Sequence, residues 1–417
     1  MKKPLAILII IIVLFIPAHT IYGENEEPPD INSESAILID MKSGTILYEK
    51  NKDREMYPAS ITKIVSGLLA IEVGELEDTV TVSQAAREAD GTRMYLEEGE
   101  EVSLLKLVQG LLINSGNDAG IAIAEHIDGS EEKFSERMTE FVHEEIGATD
   151  TTFKNPHGLP DPEHVTTAHD MAQITAYAMQ NDTFREIVGT REMEWIGESW
   201  ETTLRNHHQL VLQREDVTGV KNGYTSDAGF TLSTTAENEE IELVVVTLNA
   251  ENPRTAYQDT EALIEYGYQY RTDSIPAGEE FTDSEGQTYE LEEELFFTIE
   301  KDQQWSTYLS TDGLLTILNE SEEPIFEYRF PIEEVPTENE PIAGASTDGE
   351  VDPNPDESEE DGWLQTTTIL SFLLSAILIA AVTYMIYRKR TRSSNREHSP
   401  IVLESYEEDR RPWKRNW

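Results

Sequence analysis

Ser60 and Lys63 stand three residues apart in Tyr57-Pro58-Ala59-Ser60-Ile61-Thr62-Lys63. On a helix beginning here the two side chains share a face. A serine hydroxyl is a poor nucleophile until a base takes its proton. Lysine can be that base only when neutral, which requires burial or nearby positive charge. The start of a helix also supplies backbone N–H groups suited to an acyl oxyanion. A second string, Ser115-Gly116-Asn117, follows Leu111-Leu112-Ile113-Asn114. It offers a hydroxyl to relay a proton and an amide to hold a peptide backbone. The third is Lys221-Asn222-Gly223-Tyr224-Thr225, before an apolar stretch at Phe230. A lysine on an edge strand can hold an anion, and glycine lets another backbone come close. Each string also has a plainer reading: a solvated Lys63, a loop between two helices, and an Asn-Gly hairpin turn.

The elements that must position these groups follow from periodicity. Ser35 to Ile39 and Thr45 to Tyr48 read as short strands around a turn at Lys42 to Gly44. Ile61, Ile64, Val65, Leu68 and Leu69 have helical spacing within Ile61 to Val73. Leu104 to Ile113, Ala119 to Ile127 and Ala168 to Met179 also read as helices. Strand character returns at Phe230 to Thr234 and at Ile241 to Leu248, and Thr255 to Tyr270 reads as a closing helix. A large mixed domain results, with sheet pieces at both ends and a mostly helical insert between them. Beyond it, Leu295 to Ile299, Leu314 to Leu318 and Ile325 to Phe330 suggest a small β-rich domain. The expected division is export signal 1–23, large domain 24–275, β-rich domain 276–336, acidic stalk 337–362, membrane helix 363–387 and tail 388–417.

Composition excludes several classes. The chain of 417 residues carries 82 Asp and Glu against 31 Lys and Arg, a net charge of −51. Such a surface repels phosphate backbones and disfavours nucleic acid. Without cysteine there are no disulfides, no thiolate catalysis and no cysteine-held zinc. His157, His164, His169 and Asp170 invite a metal reading, but no His-Glu-x-x-His string is present. No metal or cofactor is expected, and His207-His208 reads as a polar loop. Lys2 and Lys3 precede the apolar run Leu5 to Ile16, which suits a signal-peptide core. From Trp363 to Tyr387 no residue is charged, and Arg388, Lys389, Arg390 and Arg392 follow. That pattern predicts one C-terminal span with its tail in the cytoplasm and the body outside.

Ser60, Ser115 and Lys221 occur in the order Ser-x-x-Lys, Ser-x-Asn, Lys-x-Gly, and with these motifs the chain resembles penicillin-recognising serine enzymes. It is most similar to the low-molecular-mass penicillin-binding proteins, the serine-type D-alanyl-D-alanine carboxypeptidases. Pro58 to Ile64, Asn114 to Ala119, Asn155 to Asp161, Thr167 to Met171 and Gly219 to Lys221 all look like that family's blocks, over roughly residues 32 to 275. The resemblance implies an α/β (α+β) penicillin-binding/β-lactamase-like transpeptidase fold. It implies peptidoglycan stem peptides as substrate and β-lactams as inhibitors. Ser60 would be the nucleophile, Lys63 its base, and Ser115 the proton relay. Asn117, Lys221, Gly223, Tyr224 and Thr225 would bind substrate, with Lys221 on the terminal carboxylate and the Ser60 and Tyr224 N–H groups around the oxyanion. One position departs from the pattern, since the family usually has threonine where this chain has Asn222. The lack of a Glu-x-x-Leu-Asn string argues against a β-lactamase. A D,D-endopeptidase and a non-catalytic penicillin-binding wall protein remain the alternatives to carboxypeptidase action.

Overall fold

The computed structural model describes residues 27–331. The expected signal, stalk, membrane helix and tail lie outside the described residues. Among those described, no helix is long and apolar enough to cross a membrane.

Along the chain, β1 (Ser35–Asp40) and β2 (Ile46–Lys50) precede a 3-10 turn, Ala59–Thr62, that runs into α1 (Lys63–Val73). β3 (Thr79–Thr81) pairs with β4 (Glu101–Ser103) across the short α2 (Gln84–Arg87). Next come α3 (Leu104–Ile113), α4 (Asn117–Asp128), α5 (Glu131–Phe141), a π turn at Val142–Ile146, α6 (Ala168–Ala178) and α7 (Asp182–Gly189). β5 (Glu192–Ile196) pairs with β6 (Glu201–Arg205), and α8 (Gln209–Gln213) leads into three long strands. These are β7 (Val217–Thr225), β8 (Gly229–Glu237) and β9 (Glu242–Ala250), followed by α9 (Pro253–Gly267).

The strands from the two ends close one antiparallel sheet in the order β2-β1-β9-β8-β7. Of its central strands, β1 and β9 place apolar residues on both faces, because each face packs against helices. Ile37, Ile39, Val244, Val246 and Leu248 join the core under the helical insert. Ala36, Leu38, Leu243 and Val245 instead pack with Leu263 and Ile264 of α9. α1 is the axis of the insert, with Lys63 to Ala70 all buried. A helix apolar on every side belongs in an interior, and the exception at its first residue is therefore informative.

Tyr270–Ile275, expected to close the large domain, is β10 and pairs with β13 (Leu295–Glu300). Its polar sequence hides the strand, because half-exposed residues alternate weakly. The small unit therefore begins on the N-terminal side of residue 276. It continues with β11 (Glu280–Thr282), β12 (Thr288–Glu290), β14 (Trp305–Leu309), β15 (Leu314–Asn319) and β16 (Pro324–Arg329) around a separate core at Phe297, Leu315, Ile317 and Phe330. Asp40, fully buried, joins the units: its Oδ2 accepts from the Thr272 hydroxyl at 2.8 Å and the Thr298 hydroxyl at 2.7 Å.

Candidate active site

The helix expected from Ile61 starts as a 3-10 turn, and this decides the geometry of the first motif. With three residues per turn, positions i and i+3 eclipse. Lys63 Nζ accordingly donates to Ser60 Oγ at 2.9 Å. It also donates to the His157 carbonyl at 2.6 Å. Ala59, immediately before, has φ 49, a left-handed conformation that L-residues adopt only when the surroundings enforce it.

Those surroundings are the Asn155-Pro156-His157-Gly158 loop, whose role the sequence did not reveal. The Asn155 carboxamide oxygen accepts from the N–H groups of His157 at 3.3 Å and Gly158 at 2.7 Å. The Pro156 carbonyl accepts from the Ser66 hydroxyl at 2.6 Å. Gly158 has φ 87, and a Cβ there would overlap the Ala59 carbonyl. An Asn-Pro dipeptide followed by glycine signals a turn, but nothing local says that it cradles a lysine.

Gly223 closes the site from the sheet. A Cβ on it would lie 2.6 Å from the Ser60 nitrogen and 2.6 Å from Thr231 Oγ1. Lys221 and Gly223 pair with Ser233 and Thr231, so these four share the face turned toward Ser60. Thr231 Oγ1 donates to the Pro58 carbonyl at 2.9 Å, and the Ser233 and Thr175 hydroxyls lie 2.6 Å apart. Asn222-Gly223 lies inside β7 and is not a hairpin turn; β7 is the edge strand. By the pleat, Asn222 and Tyr224 sit on the opposite face with Leu232 and Phe230. The Tyr224 ring stacks on Phe230 at 4.4 Å, and the Thr225 hydroxyl accepts from the Ala228 N–H at 3.1 Å. The Tyr224 side chain thus leaves its backbone N–H as the group it can offer the cleft, while Thr225 keeps the strand parity of Lys221 and Gly223.

Ser115 is buried in the turn between α3 and α4 with φ 63. Asn117, which starts α4, donates from its N–H to the Thr92 carbonyl at 2.7 Å and from Nδ2 to the Asp90 carbonyl at 2.6 Å. Asp118 on this helix and Lys221 on β7 both act on the Lys63 charge, so three elements converge on one ammonium group. Burial, then the Lys221 charge, push Lys63 well below the ordinary lysine value, against the opposing pull of Asp118. Burial pushes Lys221 down to about 7. Two buried ammonium groups disfavour each other's proton, which favours the neutral form of Lys63 that a base requires.

The histidines take structural places. His164 Nδ1 accepts from the Lys154 N–H at 3.0 Å, so its Nε2–H donates to Thr62 Oγ1, 2.8 Å away. Burial pushes it down to about 3, which keeps it neutral. His157 Nε2 lies 3.2 Å from Glu131, and burial lowers its pKa as well. No group of three metal-ligating side chains occurs among the described residues. His207-His208 is a loop, as expected, with His207 exposed and His208 buried. The His207 N–H donates to the Ile113 carbonyl at 3.2 Å. Fully buried His208 bonds the Thr234 hydroxyl at 2.8 Å.

Known proteins agree with this arrangement. A family model described as D-alanyl-D-alanine carboxypeptidase matches residues 23–252, more than half of the chain. The D-alanyl-D-alanine carboxypeptidase DacF of Bacillus subtilis is 33% identical over 284 residues, covering 65% of this chain and 72% of that protein. DacC of Escherichia coli is 32% identical over 268 residues, covering 62% and 66%. Among solved structures, penicillin binding protein 5 from Haemophilus influenzae has a TM-score of 0.65 at 25% identity, covering 72% of this chain and 96% of its own. Penicillin binding protein 6B from Escherichia coli has a TM-score of 0.63 at 26% identity, covering 73% and 97%. The family match over most of the large domain, on the fold and motifs described above, establishes that the chain belongs to the D-alanyl-D-alanine carboxypeptidase family of serine-type peptidases, enzymes of cell-wall metabolism.

Proposed function

We propose that the chain removes the terminal D-alanine from peptidoglycan stem pentapeptides through an acyl-enzyme on Ser60. The observation that carries this reading is the 2.9 Å contact between Ser60 Oγ and the buried Lys63 Nζ. Neutral Lys63 takes the hydroxyl proton as Ser60 Oγ attacks the carbonyl between the two D-alanines. The tetrahedral oxygen lies by the Ser60 N–H, against the β7 backbone at Gly223 and Tyr224. The C–N bond then breaks. Its nitrogen receives the proton through the Ser115 hydroxyl, and an ester to Ser60 remains. Water, deprotonated by Lys63, cleaves that ester and returns the proton to Ser60. Asn117 holds the peptide backbone, and charged Lys221 receives the terminal carboxylate. A β-lactam opens onto the same oxygen.

The catalytic unit works outside the cytoplasmic membrane, held by a C-terminal helix. Support for this is the charge-free run Trp363 to Tyr387 with Arg388, Lys389 and Arg390 after it, and the Lys2-Lys3 and Leu5 to Ile16 pattern at the other end.

Incubation of the full-length protein with a D-alanyl-D-alanine-ended pentapeptide, beside a Ser60→Ala variant, tests the reaction. Free D-alanine is expected from the natural protein alone, together with covalent labelling by a fluorescent penicillin. Absence of both would overturn the enzymatic reading. Release from cross-linked dimeric peptide with none from pentapeptide would favour endopeptidase action instead.

A further inference from the structure

The loop that carries Asp90 to Leu96 is bolted to the active-site turn. Asn117 fixes the carbonyls of Asp90 and Thr92. The buried Asp118 carboxylate accepts the Met94 N–H at 2.7 Å and the Leu96 N–H at 3.2 Å. Trp200 Nε1 donates to the Met94 carbonyl at 2.8 Å. A Cβ on Gly91 would meet Asn117 Nδ2 at 2.8 Å and Leu159 Cδ2 at 3.9 Å, so the loop also touches the strip beside Gly158 and Ser60. Met94 and Leu96 are buried in the core. By alternation Arg93 and Tyr95 turn outward from that core, and the Arg93 carbonyl lies 3.5 Å from Nδ2 of Asn114, the residue before Ser115.

Both outward residues are held in a defined pose. Tyr95 is 61% exposed and has φ 61, a strained conformation for an aromatic residue, of the kind that concentrates at functional sites. Its ring meets Trp200 edge-on at 5.8 Å, and the Arg93 guanidinium lies 5.3 Å from its centroid. Such an arrangement orders the arginine without neutralising it. The nearby Arg87 pairs with Glu97 at 2.7 Å. Arg93 has no carboxylate within ion-pair distance among the described residues, and its guanidinium makes one hydrogen bond, to the Arg87 carbonyl at 3.3 Å. In a chain with 82 acidic residues against 31 basic ones, an ordered arginine left unpaired beside the catalytic turn stands out. Its planar fork of donors fits a carboxylate.

We propose that Arg93, backed by Tyr95 and Trp200, is a subsite for a free carboxylate on the stem of the substrate, at a distance from the scissile bond. The ligand class is a peptide carrying an unamidated acidic residue, such as a γ-linked glutamate with its α-carboxylate free. This rests on the reaction proposed above. It assigns the two ends of the substrate to different cations: the terminal carboxylate to Lys221 on the sheet wall, and the side carboxylate to Arg93 on the helical wall. An anionic substrate approaching a protein of net charge −51 meets a local cation at the point of entry.

The test uses two pentapeptides, L-Ala-γ-D-Glu-L-Lys-D-Ala-D-Ala and its counterpart with the glutamate α-carboxylate amidated, with the full-length protein and with Arg93→Gln. The natural protein is expected to show a KM about five- to tenfold lower for the free acid, in keeping with a partly exposed charge-assisted contact. Arg93→Gln brings the ratio of the two KM values to near one, while kcat for the free acid changes less than about twofold. Arg93→Lys restores part of the preference. No preference in the natural protein, or equal losses on both peptides, would overturn the subsite. If neither peptide is hydrolysed, the reaction assigned above has failed. Calorimetric binding of the two peptides to the same proteins then decides: preference for the free acid that is lost in Arg93→Gln sustains the subsite, and equal affinities overturn it.

Discussion

Around Ser60 the interior is polar. Thr62, Lys63, Ser66, His164, Lys221, Thr231 and Ser233 are all essentially without solvent contact. The small β unit is filled by Ile275, Leu291, Phe297, Leu315, Ile317 and Phe330. Its only buried polar residues among those described are Asp283 and Thr298, the second of which bonds Asp40 at the seam. Burying polar groups opposes folding unless each finds a partner. The large unit meets that demand with hydrogen bonds reaching across the chain, such as Lys63 to the carbonyl of His157. The β unit avoids it with an apolar core and short hairpins. Backbone strain divides in the same way: Ala59, Tyr95 and Ser115 adopt left-handed φ around the site, whereas among the described residues of the β unit Glu322 alone of the non-glycine residues does so. A site that must hold a neutral lysine needs a rigid polar interior, and the appended unit has no such requirement.

The largest effect should come from adding one methyl group at matched glycines in the two regions. Gly158 and Gly286 have φ of 87 and 90, so alanine meets similar backbone strain at each, about 1–2 kcal/mol. Around Gly286 nothing lies within 4 Å of the added carbon, whereas at Gly158 it overlaps the Ala59 carbonyl. Gly158→Ala should therefore displace Ser60 and lower penicillin acylation by on the order of a hundredfold or more, about 2.7 kcal/mol at the transition state. Gly286→Ala should lower the melting temperature and leave acylation unchanged. Equal acylation by both variants would show that the cradle does not set the nucleophile.

The pH dependence separates the two buried lysines. Lys63 must be neutral to accept a proton, and Lys221 must be charged to hold a carboxylate. With Lys221 held at about 7, peptide kcat/KM should fall as pH rises above about 7, as Lys221 loses its charge in the free enzyme. A bound carboxylate keeps Lys221 protonated, so the loss should appear in KM with kcat nearly flat. Lys221→Arg, charged throughout, should remove the alkaline limb. The stability sign is also fixed. A depressed lysine pKa means that the unfolded chain binds more protons. The stability contribution is full above the unfolded lysine value and is lost as pH falls toward about 7. Denaturation at pH 7 and pH 9 should show this gain with rising pH in the natural protein and a smaller one in Lys221→Met. An alkaline limb retained in Lys221→Arg would assign it to another group.

The residues of the site were legible in the sequence far more than its walls. Ser60, Lys63, Ser115 and Lys221 sit in short strings, and their order supplied what each string lacked. Apolar periodicity marked β1, β9 and α3 because each buries a regular face. The acceptor that holds Lys63 lies 94 residues away, and no local pattern encodes it. The 3-10 start of α1 arises from packing against Gly158 and Gly223, while the spacing at Ile61 reads as an ordinary helix. Arg93 and Tyr95 gave no signal, since exposed residues between buried ones look like any loop. At His208 the loop was legible but not its depth, because the buried hydrogen bond to Thr234 joins residues 26 apart in the chain.

The smallest effect is expected at Asn222, where the comparison narrows to the two faces of a single strand. Lys221 and Gly223 face Ser60, and Asn222 faces Leu232, which packs with Ala250 and Ala256 on the side of α9. The Asn222 carboxamide oxygen is buried there without a hydrogen-bond partner. An unmet buried acceptor costs about 1–3 kcal/mol, and a β-branched residue suits a strand better than asparagine. Asn222→Thr should therefore raise stability by about 1 kcal/mol in denaturant unfolding. Penicillin acylation should change by less than about threefold, below ~0.7 kcal/mol at the barrier. The usual family residue would then act at this position chiefly through the fold. A tenfold change in acylation with unaltered stability would mean instead that the residue 222 side chain acts on the cleft around the edge of the sheet, and the separation of the two faces would have to be given up.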